Sequence, residues 1–214
     1  MKNLKIFSMN LGRGFIPVKD KRKKEYLRDF IKEEDYDIIM LQGNDINVSY
    51  RNLGYEEINS NNKVITFLRS SFLVCDIDFS DFGIVNSFVT YYDRSPLSII
   101  NVNCKNPKDM DKVFKACDVY SKEDDPHYVK SRIVAGRFPR EVDTNLFCDM
   151  FDLNDISTLI GQETHAKNNR EMLNHFFVSR NLECMNVHKL VGMTEVSKIG
   201  EAYPIEVTLK KVLK

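Results

Sequence analysis

The sequence predicts a single domain of the α/β class, α+β in type, in which two mixed β-sheets pack together with helices outside. Three observations lead there. Short apolar runs of strand length recur along the whole chain, helix-period segments interrupt them near the start and the middle, and no linker divides the 214 residues. Hydrophobic residues make up 43% and charged residues 29%, the balance of a globular chain and not of a disordered one.

Leu4 to Met9 reads as the first strand, its apolar Leu4, Ile6 and Phe7 leading into Asn10-Leu11-Gly12. Gly12 and Gly14 then permit a sharp loop. From Lys21 to Glu34 the positions Tyr26, Leu27, Phe30 and Ile31 recur at helical spacing. That helix opens on Lys19, Lys21, Arg22, Lys23 and Lys24, read as a solvated face, with a phosphate-binding patch as the alternative. Asp37 to Leu41 is a nearly continuous apolar run, as in a strand buried on both faces. Lys63–Arg69, Phe72–Asp78, Ile84–Tyr91 and Leu97–Asn103 are spaced as an antiparallel meander. A helix follows over Lys108–Tyr120, with Met110, Val113, Phe114 and Cys117 on one side. Arg132–Ala135 reads as a buried strand halted by Gly136, and Phe176–Ser179, Cys184–Leu190 and Ile205–Lys210 close the domain.

Charge and cysteine usage narrow the function classes. Lys+Arg and Asp+Glu both total 31, so the net charge is zero and no overall basic excess exists to grip a phosphate backbone. Nucleic acid is therefore a disfavoured partner, although a local basic patch is compatible with the total. The opening MKNLKIFSMN lacks a signal peptide's apolar region, and no apolar run approaches the roughly 20 residues that span a bilayer. No membrane association is expected. Cys75, Cys104, Cys117, Cys148 and Cys184 are scattered without CxxC spacing, which favours neither zinc nor disulfides and suits a reducing cytoplasm. Nucleophile triads, phosphate loops and dinucleotide fingerprints are absent from the sequence.

Six segments, in order, resemble the endonuclease/exonuclease/phosphatase family, and the likeness runs from Leu4 to about Leu209. LKIFSMN is similar to the family's first strand, which ends in an asparagine facing metal and phosphate, here Asn10. DYDIIMLQ, Asp35 to Gln42, resembles the segment that ends in LQE. LSIINVN, Leu97 to Asn103, resembles the strand carrying the first histidine, and RIVAGRF, Arg132 to Phe138, the strand entering GDFN. LNHFFVS, Leu173 to Ser179, is similar to IDHIFVS, and GEAYPIEVTL, Gly200 to Leu209, has the shape of the closing SDH strand. The resemblance implies a four-layer sandwich and a metal-assisted phosphoester chemistry. A glutamate would hold magnesium, an aspartate would activate water, asparagines would steady the phosphate and paired histidines would stabilise the transition state.

At the matching positions this chain departs from the pattern. The glutamate falls on Gly43 and the first histidine on Asn103. GDFN becomes Gly136-Arg137-Phe138-Pro139, and the aspartate of IDHIFVS becomes Asn174. The SDH motif becomes Gly200-Glu201-Ala202, leaving Asn10 unchanged and Glu201 as a conservative swap. Loss of one acid/base group commonly costs about 10²–10⁴-fold in rate, and Arg137 would oppose a cation electrostatically. The chain is therefore expected to be a pseudoenzyme with no cofactor, a binding or regulatory module with an unidentified protein partner. The alternative is a divergent phosphodiesterase or nuclease using Mg²⁺ or Mn²⁺, with Asn10, Asp45 and Glu201 as candidate metal ligands, Asp37 conceivable beside them, and Arg137 on the phosphate. His175 is read as a structural hydrogen-bonding group, and His127, His165 and His188 as isolated.

Overall fold

A computed structural model of the chain describes residues 3–12, 20–60, 63–80, 83–90, 96–121, 123, 128–160, 174–190 and 204–211. Its strands are β1 Leu4–Asn10, β2 Ile38–Gln42, β3 Tyr55–Ser60, β4 Val64–Arg69, β5 Leu73–Ser80, β6 Ile84–Thr90 and β7 Pro96–Asn103. The chain continues with β8 Arg132–Arg137, β9 Leu153–Asp155, β10 Asn174–Ser179, β11 Leu182–Lys189 and β12 Ile205–Lys211. The helices are α1 Lys21–Glu34, α2 Met110–Asp118 and α3 Thr144–Phe151. One six-stranded sheet runs β11-β12-β1-β2-β4-β3, the other β5-β6-β7-β8-β10-β9. Each is mixed: β1 and β2 pair in parallel, as do β7 and β8, and the remaining neighbours pair antiparallel.

Side-chain alternation builds the layers. Ile6, Ile38, Leu68, Leu97, Ile99, Ile133 and Val178 point inward and form the core between the sheets. Phe7, Ile39, Leu41 and Phe67 take the opposite face of the first sheet, where Leu27 and Ile31 of α1 cover them. Ile100, Val102, Val134 and Phe177 on the second sheet's outer face meet Val113 and Cys117 of α2 and Phe147 of α3. Strands with apolar residues on both faces, such as β2, thus lie between a helix and the other sheet. The order is helix, sheet, sheet, helices.

Three expectations need correction. The antiparallel meander holds for β5, β6 and β7 only. β4 pairs with β2 and β3 in the first sheet, because the tight turn after Arg69, closed by Phe72 N–H on the Arg69 carbonyl at 2.9 Å, carries the chain across to the second. Gly136 does not halt its strand. It lies within β8 at φ 134, and a Cβ there would stand 1.9 Å from the Val102 oxygen, so glycine lets β8 continue against β7. The second helix is also shorter than expected. A 3-10 turn over Pro107–Asp109, capped by Asn106 accepting from Lys108 N–H at 3.1 Å, precedes α2, which ends at Asp118. The sequence reading passed over β3, α3 and β9 entirely.

Candidate functional site

Along the central strands the inner face changes from apolar to polar in one direction. In β1, Ile6 gives way to Ser8 and Asn10; in β2, Ile38 and Met40 precede Gln42. In β7, Leu97 and Ile99 are followed by Asn101 and Asn103; in β8, Ile133 and Ala135 by Arg137. β10 runs the other way and contributes Asn174 at its start. Asn10 pairs in register with Gln42, Asn103 with Arg137, and Arg137 with Asn174. Parallel pairing of β1 with β2 and of β7 with β8 brings all these ends to one edge of the sandwich.

Hydrogen bonds join the two sheets there. Asn103 Nδ2 donates to the Gly43 carbonyl at 2.8 Å, and Gln42 Nε2 donates to Asn101 Oδ1 at 2.8 Å. Asn101 Nδ2 in turn reaches the Ile65 carbonyl at 3.0 Å and Thr66 Oγ1 at 3.2 Å. Asn10 Oδ1 accepts from Gly12 N–H at 2.8 Å, which fixes the turn after β1. The neighbouring Gly12 carbonyl accepts from Asn44 N–H at 2.8 Å and so ties that turn to the end of β2. At this edge the buried amide atoms Asn10 Nδ2 and Asn103 Oδ1 have no hydrogen-bond partner among the described residues.

The residues singled out in the sequence divide clearly. Asn10, Gly43, Asn103, Arg137 and Asn174 come together at this edge, and Pro139 is buried just past the end of β8. Gly43 has little room for a side chain, since a Cβ would stand 3.2 Å from the Gly12 oxygen and 3.4 Å from Ile46 Cγ1. Asp45 is exposed in the turn after β2 at φ 55. Asp37 belongs elsewhere and corrects the idea of a metal role. Its carboxylate accepts from Lys5 N–H at 2.9 Å, at the end of β1 and β2 opposite Asn10. Glu201 and Ala202 lie outside the described residues, as do Gly14, Lys19, His127 and His165.

His175 projects from the other face of β10. Its Nδ1 lies 2.8 Å from Asp155 Oδ2, and its ring stacks on Phe177 and meets Phe138 edge-on. Asp155 also accepts from Ser157 N–H at 3.1 Å. This buried pair fastens β9 to β10, in keeping with the structural reading of His175, and turns away from the Asn10 edge. His188 is exposed on β11. The basic start of α1 is a solvated face. Lys23 pairs with Asp20 at 3.1 Å, Arg22 Nε donates to the Tyr26 hydroxyl at 3.1 Å, and Lys24 Nζ donates to the Asn47 carbonyl at 2.7 Å.

Gln42 and Asn101 are the site-edge residues that the sequence reading missed. Period-two alternation in LSIINVN places Asn101 on the face of Asn103, so the signal was available. Asp155 sits in a three-residue strand with no such signal.

No family model and no curated protein sequence matches the chain. Solved structures do. An endonuclease/exonuclease/phosphatase from Bacteroides vulgatus superposes with a TM-score of 0.72 at 11% identity, covering 99% of this chain and 100% of that one. The chain has the endonuclease/exonuclease/phosphatase fold. The human Nocturnin catalytic domain, solved with a sulfate anion, shares it at a TM-score of 0.70 and 11% identity, over 98% of this chain and 93% of that one. A Bacteroides thetaiotaomicron mannosyl-6-phosphatase does so at 0.67 and 12%, over 97% and 99%. In this endonuclease/exonuclease/phosphatase fold, Asn10, Gly43, Asn103 and Arg137 lie together at one end of the sandwich. Among the described residues no helix is long and apolar enough to cross a membrane.

Proposed function

We propose that the chain is a catalytically inactive protein of the endonuclease/exonuclease/phosphatase fold that works by binding, as a regulatory module whose partner is another protein. The observation that carries this reading is the direct bond from Asn103 Nδ2 to the Gly43 carbonyl, 2.8 Å across the two sheets. Two positions that the family resemblance assigns to a histidine and a metal-holding glutamate are occupied by a neutral amide and a bare backbone, and the amide donates to the backbone.

The donor set at this edge does not fit a magnesium ion. Mg²⁺ takes hard oxygen donors in octahedral array, usually including carboxylates. Here the described side chains are amides, with Arg137 beside them, and Asn10 Oδ1 is already engaged by Gly12 N–H. A cationic guanidinium next to such a position raises the energy of a divalent ion further. Among the described residues no group of three or more His, Cys, Asp or Glu side chains gathers to hold a metal.

The amides at this edge are kept at a cost to stability, which agrees with a role other than packing. Asn10 Nδ2 is a buried donor and Asn103 Oδ1 a buried acceptor, each without a partner among the described residues. Leaving such an atom unmatched costs on the order of 1–3 kcal/mol. A protein partner also agrees with the zero net charge, which offers no broad phosphate-binding face.

Hydrolysis assays on the full chain test the reading. DNA, RNA and small phosphoesters with Mg²⁺ or Mn²⁺ are expected to give no turnover above an Asn10→Ala control. Turnover that depends on metal and disappears in Asn10→Ala would replace this reading with that of a divergent phosphodiesterase.

A further inference from the structure

The two outer layers of the sandwich carry helix faces of opposite chemistry. On α1, Tyr26 is 36% exposed. Arg22, one turn before it, donates to its hydroxyl at 2.9 Å and holds its guanidinium 5.4 Å over the ring. The first turn of α1 is Lys21-Arg22-Lys23-Lys24, without an acid. On α3, Leu146 and Met150 are 54% and 56% exposed and share one side of the helix at i, i+4 spacing. The end of α3 carries Asp149 and its cap residue Asp152, and its last turn has no base.

Both charge placements oppose the helix dipole, which favours anions at the N-terminal end and cations at the C-terminal end. Local pairs offset this only in part. Lys23 reaches Asp20 at 3.1 Å, and Asp149 and Asp152 reach Arg180 at 3.6 and 3.3 Å. The side chains of Lys23, Asp149, Asp152 and Arg180 are more than half exposed, and surface pairs of this kind contribute little.

We propose that α1 of one copy docks on α3 of a second copy of this chain, the two helices running antiparallel. That orientation sets Tyr26 against Leu146 and brings the basic start of α1 to Asp149 and Asp152. Each helix end then receives the charge its own dipole favours. The contact cannot close within one molecule, because both sheets lie between the two helices. It is therefore heterologous, and copies add in a row. Neither face includes a residue of the Asn10 edge. One short helix on another makes a small contact, so a dissociation constant on the order of 100 µM is expected.

The test follows the mass of the full chain by sedimentation equilibrium up to about 1 mM. Wild type is expected to associate reversibly beyond the dimer, and about tenfold more weakly at roughly 500 mM than at roughly 20 mM NaCl. Arg22→Ala/Tyr26→Ala removes the α1 half of the contact and Leu146→Ala/Met150→Ala the α3 half. All four positions are exposed, and alanine suits both helices. Each double variant alone is expected to stay monomeric. Mixed in equal amounts they are expected to form a dimer, twice 24.9 kDa, that grows no further, because each supplies the half the other lacks. A wild type that stays monomeric would overturn the assignment and leave the α3 face to a different protein. Either variant associating like wild type, or a mixture that stays monomeric, would overturn it equally.

Discussion

Gly43 and Asn103 show how single residues define this edge. Gly43 has no side chain with which to hold a cation, and its carbonyl instead receives Asn103 Nδ2 at 2.8 Å. Restoring a glutamate is not a simple reversal, because the Cβ would press on the Gly12 oxygen at 3.2 Å, a backbone atom fixed by Asn44 N–H. Gly43→Glu is therefore expected to lower stability by about 1–3 kcal/mol in chemical denaturation and to leave phosphoester hydrolysis undetectable. A variant as stable as wild type that gained Mg²⁺-dependent turnover would show that only one residue separates this edge from a working centre.

At the scale of elements, β8 and α2 each carry a sharp test. β8 passes Val102 of β7 so closely at Gly136 that any side chain must displace the strand. Gly136→Ala is expected to destabilise the chain by more than about 4 kcal/mol, read from its unfolding midpoint. A cost below about 1 kcal/mol would mean that β7 and β8 do not hold this register. In α2, burial pushes the Cys117 thiol from 9.0 up to about 12. A folded-state pKa above the unfolded one favours the neutral thiol in the fold, so its contribution is complete below the unfolded value. It is lost as pH climbs from there through the folded value. Wild type is expected to lose thermal stability more steeply than Cys117→Ala between about pH 9 and 12. Parallel slopes would contradict the buried position of Cys117.

The elements that sequence inspection located are those with a strong local pattern. α1 was delimited by its spaced apolar residues, and β2 by its unbroken apolar run. β3 escaped because an edge strand has few obligations. It buries Tyr55 on one face and Ile58 on the other, which is no alternation at all. α3 escaped because Leu146 and Met150 are exposed while Phe147 is buried, so apolar residues surround the helix and blur its stripe. The crossover from β4 to β5 was invisible for a different reason. A short turn can join two strands of one sheet or of two, and only the long-range partners of β4 decide which.

For the whole molecule, the order of segments carried more than any segment's chemistry. Parallel pairing within each sheet and packing between them gather Asn10, Gly43, Asn103, Arg137 and Asn174 from distant parts of the chain. The fold was legible because many weak apolar patterns agree. The polar bridge from Gln42 to Asn101 was not, since a buried amide's partner depends on how two sheets meet.

The proposed function requires that this edge of the sandwich hold no divalent cation. The most direct measurement is paramagnetic broadening of the Asn10 and Asn103 side-chain amide signals on adding Mn²⁺ to the full chain. The expected result is no selective broadening, with any effect confined to exposed carboxylates. Saturable loss of both amide signals at low Mn²⁺, reversed by excess Mg²⁺, would show a metal site there and overturn the inactive reading.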